Sequence, residues 1–115
     1  MYSYTIRQSP ISVNRAFIGR KIKTPEYRAF LESAAWELKT QRFNLIEGPI
    51  EVEIELHLKN VKRSDIDNRL KVILDACTYA GLWQDDSQIY KLVVTKTKSD
   101  SDWVDISIQK SNGIN

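Results

Sequence analysis

Two aspartates two residues apart, Asp65 and Asp67, are followed directly by Asn68 and, four residues after Asp67, by Lys71. A second acidic pair, Asp85-Asp86, comes shortly afterwards. Side chains of this kind suit phosphodiester hydrolysis. The phosphate repels a nucleophile, and the leaving oxygen needs its charge stabilised. Mg²⁺ addresses both, as a Lewis acid and as the holder of a polarised water. It prefers oxygen ligands and keeps several waters, so two or three carboxylates suffice to bind it. A nearby lysine stabilises charge developing on the phosphate or positions the attacking water. The same spacing admits a purely structural reading. Acids in a first helical turn interact favourably with the helix dipole. Ser64, with Asp67 three residues on, resembles a capping box. Asp67, Lys71 and Asp75 share one side of a helix and fit an ion-pair ladder. Asp-x-Asp by itself does not choose between the two.

The elements that must hold these residues are legible from periodicity. Tyr2, Tyr4 and Ile6 alternate with polar residues and predict a first strand. A polar and basic loop follows. Thr24-Pro25-Glu26 starts a helix, with Thr as N-cap and Pro at the first helical position. Tyr27, Leu31, Ala34 and Leu38 continue it to about Thr40. After Gly48-Pro49, the apolar Ile50, Val52, Ile54, Leu56 and Leu58 alternate with Glu51, Glu53, Glu55 and His57. That strand has one buried face and one that meets water or a partner. A second helix carries Ile66, Leu70, Ile73, Cys77 and Ala80 as its stripe, and Gly81 sits at its C-terminal cap. Residues 89–96 and 103–109 read as a final pair of strands joined by a hydrophilic turn. The expected fold is a two-layer α+β domain in β-α-β-α-β-β order, a mixed open sheet with two helices on one face. One domain spans residues 1–110, and residues 111–115 form a tail.

Composition narrows the function class. A chain of 115 residues suits one domain. No apolar run reaches the length of a membrane span, and the start lacks the apolar core of a signal peptide, so a cytoplasmic protein is expected. The single cysteine, Cys77, excludes an internal disulfide and a cysteine metal cage, and reads as a small buried apolar residue. The net charge of +2 is too weak to imply nucleic acid, but it is unevenly spread. Residues 1–45 hold eight Lys/Arg and three Glu (+5), whereas residues 46–115 hold nine Lys/Arg and twelve Asp/Glu (−3). The first part could face a polyanion while the second concentrates carboxylates. Ordinary scatter of surface charge explains the split equally well.

Asp65-Ile66-Asp67-Asn68-x-x-Lys71, then Leu74-Asp75-Ala76, then Gly81-Leu82-Trp83-x-Asp85-Asp86-Ser87-Gln88-Ile89, resembles the signature of RusA-family Holliday junction resolvases. Ser12-Val13-Asn14-Arg15 and the strand bearing His57 are also similar. The resemblance runs in order along most of the chain. It implies a Mg²⁺-dependent endonuclease, with Mn²⁺ as a substitute, acting on four-way junction DNA in recombination and repair. Such proteins are common in phages and prophages. The resemblance implies Asp65, Asp67 and Asp86 as metal-binding catalytic acids and Lys71 as their helper. Asn68 and Asp85 are the supporting neighbours, and Asp75 reads as helix support. Some relatives carry a run of arginines up to the first aspartate. Here it is shortened to Lys62-Arg63, with Ser64 intervening. Two further readings remain: a non-catalytic dimer that binds branched DNA, and a nuclease acting on flaps or forks.

A length check bears on the acids. Asp67 to Gly81 is roughly 21 Å along a helix, and Gly81 to Asp86 spans at most about 17 Å when extended. Asp86 meets Asp67 within one chain only if the loop runs almost straight back; otherwise it comes from a partner subunit. Symmetric cutting of a junction is met most simply by a twofold homodimer, using the polar face of residues 50–58 or a sheet edge. Contacts to DNA should be mainly to phosphates, with Asn14, Arg15, Arg20, Lys21, Lys23, Lys62, Arg63 and Arg69 as candidates. Trp36, Trp83 and Trp103 could stack on bases but read more readily as core or interface, with Trp83 placed to buttress the site. His57 reads as a surface or interface residue rather than a ligand.

Overall fold

The computed structural model describes residues 2–18, 22–41 and 44–112, apart from the side chains of Val13, Asn14 and Ile18. Along the described residues the elements are β1 (Tyr2–Ile6), α1 (Val13–Ala16), β2 (Phe17–Ile18), β3 (Ile22–Lys23), α2 (Pro25–Lys39), β4 (Ile50–Leu58), α3 (Ile66–Ala80), β5 (Ile89–Lys98) and β6 (Trp103–Lys110), with 3₁₀ turns at Val61–Arg63 and Asp86–Gln88. The alternation in β4 decides the layering. Ile50, Val52, Ile54, Leu56 and Leu58 are all buried, while Glu51, Glu53, Glu55 and His57 lie on the opposite face. Burying each such aliphatic side chain contributes about 1.5–3 kcal/mol, which fixes the register, since a one-residue slip would turn the whole row to solvent. Against that row pack Tyr27, Phe30, Leu31, Ala34 and Leu38 of α2 and Val72, Ile73, Ala76 and Cys77 of α3. The result is the two-layer α+β arrangement.

The helix ends follow the sequence. Thr24 accepts from the Tyr27 amide (3.1 Å), with Pro25 at the first helical position. Gly81 ends α3 at φ +86°, a backbone that glycine adopts without a Cβ clash. The Leu82 amide donates back to the Cys77 carbonyl (3.1 Å).

The sheet order is β1-β6-β4-β5. β5 and β6 therefore flank β4 rather than pairing with each other: β5 runs parallel to it and β6 antiparallel. Local turn composition cannot reveal this, because β6 prefers the gap between β1 and β4, where both edges find partners. A parallel β4–β5 pair requires a crossover, and α3 supplies it. The polar and basic stretch after β1 contains α1 and the antiparallel β2–β3 pair. In the expected tail, the Ser111 amide donates to the Pro49 carbonyl (2.9 Å), and residues 113–115 lie outside the described residues.

Candidate active site

The crossover puts the two acidic segments at opposite ends of α3. At the N-terminal end, the turn after β4 is held from β5. Lys96 Nζ donates to the Val61 and Ser64 carbonyls, both at 2.8 Å, and Lys98 Nζ donates to the Lys59 carbonyl. These bonds fix the backbone immediately before Asp65. Ser64 is buried, and its hydroxyl donates to the Asn60 carbonyl (3.0 Å), so it does not cap the helix. Asp65 is the N-cap residue, yet its side chain makes no capping bond. Asp67 lies exposed in the first turn. The capping-box alternative thus fails: neither aspartate is engaged in closing the helix, and both present oxygens at the positive end of its dipole. Hard oxygen donors, exposed and without a structural partner among the described residues, are the kind Mg²⁺ takes.

At the C-terminal end the opposite holds, and every group is anchored. The chain reverses at Gly81, and Trp83 enters the core completely buried. Its indole Nε1–H points at the Thr78 hydroxyl (2.8 Å) and at Asp86 Oδ1 (3.0 Å), and Thr78 Oγ1 donates to the same carboxylate oxygen (2.8 Å). Asp86 is thereby fixed through one oxygen, leaving Oδ2 available. Gln88 pins the loop from the other side. Its Oε1 accepts from the Gln84 and Asp85 amides, and its Nε2 donates to the Ile46 and Gly48 carbonyls. Asp85 caps the 3₁₀ turn in a capping box with Gln88. Bonds from the Ser87 side chain, and then its backbone, hold the Asp85 carboxyl below the usual range. Asp85 is thus the structural member of the pair and Asp86 the presented one. Nearby Cys77 is completely buried, and its thiol is pushed up by burial and then by the Asp86 charge, which fits an inert packing residue.

Between these ends, Asp67, Lys71, Asp75 and Thr78 lie along one side of α3. Lys71 Nζ is 3.4 Å from Asp75 Oδ2 and sits over the Phe17 ring (5.5 Å). Asp75 also accepts from the Tyr27 hydroxyl, whose pKa is raised by burial and then by this bond. Asp75 therefore ties α2 to α3. The eleven residues from Asp67 to Thr78 measure about 16 Å along the axis. The strand places the acids the same way: Asp86 precedes β5, whereas Lys96, near its far end, contacts the residue before Asp65. Within one chain, Asp65 and Asp67 stand together and Asp86 stands apart.

The candidate DNA contacts divide. Arg15 is exposed and paired with Glu26, and Arg69 donates to the Pro10 carbonyl, which tethers the N-terminal loop to α3. Lys23, Lys62 and Arg63 are exposed. Arg20 and Lys21 lie outside the described residues, as does the Asn14 side chain. Lys59, Lys62, Arg63, Lys96 and Lys98 form a basic rim on the turn that leads into Asp65. Trp36 is exposed, whereas Trp103 is half-buried and stacked on His57. The sequence pattern leaves Thr78 and Lys96 unmarked, and it contains Gln88 in the signature without giving it a role. Thr78 was within reach, because it shares the helical side of Asp67 and Lys71.

The profile of the family described as Endodeoxyribonuclease RusA matches residues 8–109. The chain belongs to the RusA family. Similar RusA proteins include the crossover junction endodeoxyribonuclease RusA of Escherichia coli (strain K12), 33% identical over 99 residues, covering 83% of this chain and 82% of the relative. That of Shigella sonnei (strain Ss046) is 32% identical over the same shares. That of Enterobacteria phage 82 is 33% identical over 79 residues, covering 68% of this chain and 66% of the relative. As in other RusA proteins, the chemistry is that of a DNA-cutting enzyme. No helix among the described residues is long and apolar enough to cross a membrane.

Proposed function

We propose that this chain is a cytoplasmic, homodimeric endonuclease that resolves four-way DNA junctions by symmetric phosphodiester hydrolysis. The observation that carries the reading is the division of acids along α3: two uncommitted carboxylates at one end and one rigidly presented carboxylate at the other. A twofold axis crossing the middle of α3 lays each chain's Asp86 against the other chain's Asp65 and Asp67. Two complete sites then arise from one interface. Mg²⁺, or Mn²⁺ in its place, supplies Lewis acidity and a polarised water when held by these oxygens. Lys71, one helical turn from Asp67, faces the phosphate that enters between them, and Asp75 keeps its ammonium oriented. The basic rim from Lys59 to Lys98 draws the backbone to the mouth of the site, replacing the shortened arginine run with lysines from β5. Asn68, half-buried in the first turn, supports Asp67.

A panel of four-way junction, fork, flap and plain duplex, each with and without Mg²⁺, tests the assignment. Paired symmetric nicks confined to the junction are expected. Preferential flap or fork cutting, or junction binding without cleavage, would overturn it.

Two supporting residues carry predictions of their own. Thr78→Val removes one of the two donors to Asp86 Oδ1 and nearly preserves shape. Cleavage should fall about tenfold, the scale for groups that orient metal ligands, with junction affinity unchanged. Lys96→Met removes both bonds to the turn before Asp65. A loss of about ten- to hundredfold in cleavage is expected, accompanied by a higher Mg²⁺ requirement. An unaltered Mg²⁺ titration would show that Lys96 does not position the acids.

A further inference from the structure

The exposed face of the sheet holds a cluster that the nuclease reading does not use. Glu55 and Asp105 are direct cross-strand partners on β4 and β6, and His57 follows two residues after Glu55 on the same face. His57 Nε2 is 3.1 Å from Glu55 Oε1 and 3.4 Å from Asp105 Oδ2, and the three donor atoms lie within 4.8 Å of one another. From these positions we propose that the chain carries a second divalent-cation site, made of Glu55, His57 and Asp105, suited to Zn²⁺ or a similar transition ion.

The electrostatics call for a cation here. Like charges directly opposite in an antiparallel pair are destabilising. Glu51 and Glu53 line the same face beside Glu55, and His57 is the basic group that the Glu55 and Asp105 carboxylates reach. The donor set fits too. Donors at about 2.0–2.2 Å from a tetrahedral ion stand roughly 3.3–3.5 Å apart, close to the two separations from His57. One imidazole nitrogen with two carboxylates is a combination that borderline divalent ions accept, with room left for water.

The surroundings are built rather than incidental. The His57 ring stacks flat on Trp103, with centroids 3.6 Å apart and planes 2° apart, and Ser99 accepts from the Trp103 indole nitrogen (3.2 Å). His57 Nε2 has less than 1 Å² of exposed surface, yet it forms no aligned hydrogen bond with either carboxylate. A buried nitrogen held beside two oxygens without bonding to either costs free energy, and a shared ion would satisfy all three groups. Asp105 is oriented from behind: its Oδ1 accepts from the Thr5 hydroxyl (3.1 Å), leaving Oδ2 toward His57. Outer-shell bonds of this sort set the direction of metal ligands. Within one chain the cluster lies on the opposite side of the sheet from α3, apart from Asp65, Asp67 and Asp86.

The test uses the untagged full-length chain carrying Asp65→Asn, Asp67→Asn and Asp86→Asn, which removes the nuclease acids. Zn²⁺ titration by calorimetry should give one site per chain, and Zn²⁺ should raise the melting temperature. Co²⁺ should show a low-symmetry visible absorption band and quench the fluorescence of Trp103. Adding His57→Gln to this background should weaken Zn²⁺ binding by at least about tenfold and abolish the band. Asp105→Asn, judged on its own metal-free melting curve, should do likewise. Retention of the stoichiometric site and the band after His57→Gln would overturn the proposal, as would the absence of saturable Zn²⁺ binding before it.

Discussion

Asp67→Asn is expected to lower junction cleavage by at least about a thousandfold in Mg²⁺, since a ligand-bound ion contributes several kcal/mol to the transition state and each 1.36 kcal/mol is tenfold in rate. The reason lies in what Asp67 does not do. It closes no cap, and among the described residues its structural contribution is a first-turn charge worth about 0.3–1 kcal/mol to the helix. Asparagine keeps its volume and removes the negative oxygen. Folding should therefore be nearly unaffected, and junction binding should hold or tighten, because a repulsive charge next to the phosphates has gone. Single-turnover cleavage, thermal melting and a gel-shift titration on the same preparation separate these effects. A variant that cuts within tenfold of the parent would show Asp67 to be an ordinary helix-mouth acid and would remove the basis of the active site.

Much of the scaffold was legible because single physical rules dominate it. The alternation from Ile50 to Leu58 admits one register with a buried face, and it is the strand found. Thr24-Pro25 and Gly81 mark helix ends through backbone geometry that few other residues satisfy. What escaped depends on relations between distant segments. No local pattern says that β6 enters between β1 and β4, because a polar turn serves a hairpin and a crossing connection alike. Nothing in the local sequence sets Lys96 apart from the other lysines of β5. It becomes an anchor only because the parallel pairing of β5 with β4 brings its ammonium to the Val61 and Ser64 carbonyls. His57 reads as a surface or interface residue from its strand alone, because Asp105 lies 48 positions further on and only the β4–β6 register brings the two together. The acids themselves stood out by type and spacing. Their arrangement did not, since one chain length allowed both a loop running back along α3 and one clipped to its end. The bond between Asp86 and Thr78 selects the second.

That selection leads to the other large effect. Two proteins, each inactive alone through Asp67→Asn or Asp86→Asn, should regain cleavage when mixed, denatured and refolded together. In a mixed dimer with shared sites, one site collects both substitutions while the other pairs an intact Asp65 and Asp67 with an intact Asp86. Random reassortment makes half of the dimers mixed, so about a quarter of the wild-type sites should return. Those sites should nick one strand of the junction and rarely complete its resolution, because each mixed dimer holds a single working site. If the acids instead met within one chain, every site in every mixed dimer would lack an aspartate, and no activity would return at any ratio. The 16 Å or so of α3 between Asp67 and Thr78, with Asp86 tied to Thr78 by 2.8 Å and to Trp83 by 3.0 Å, keeps Asp86 apart from Asp67 within one chain, and the proposed shared site rests on that separation. Failure of complementation by a mixture shown to exchange subunits would mean that the loop carrying Asp86 leaves Trp83 and folds back along the helix when DNA binds.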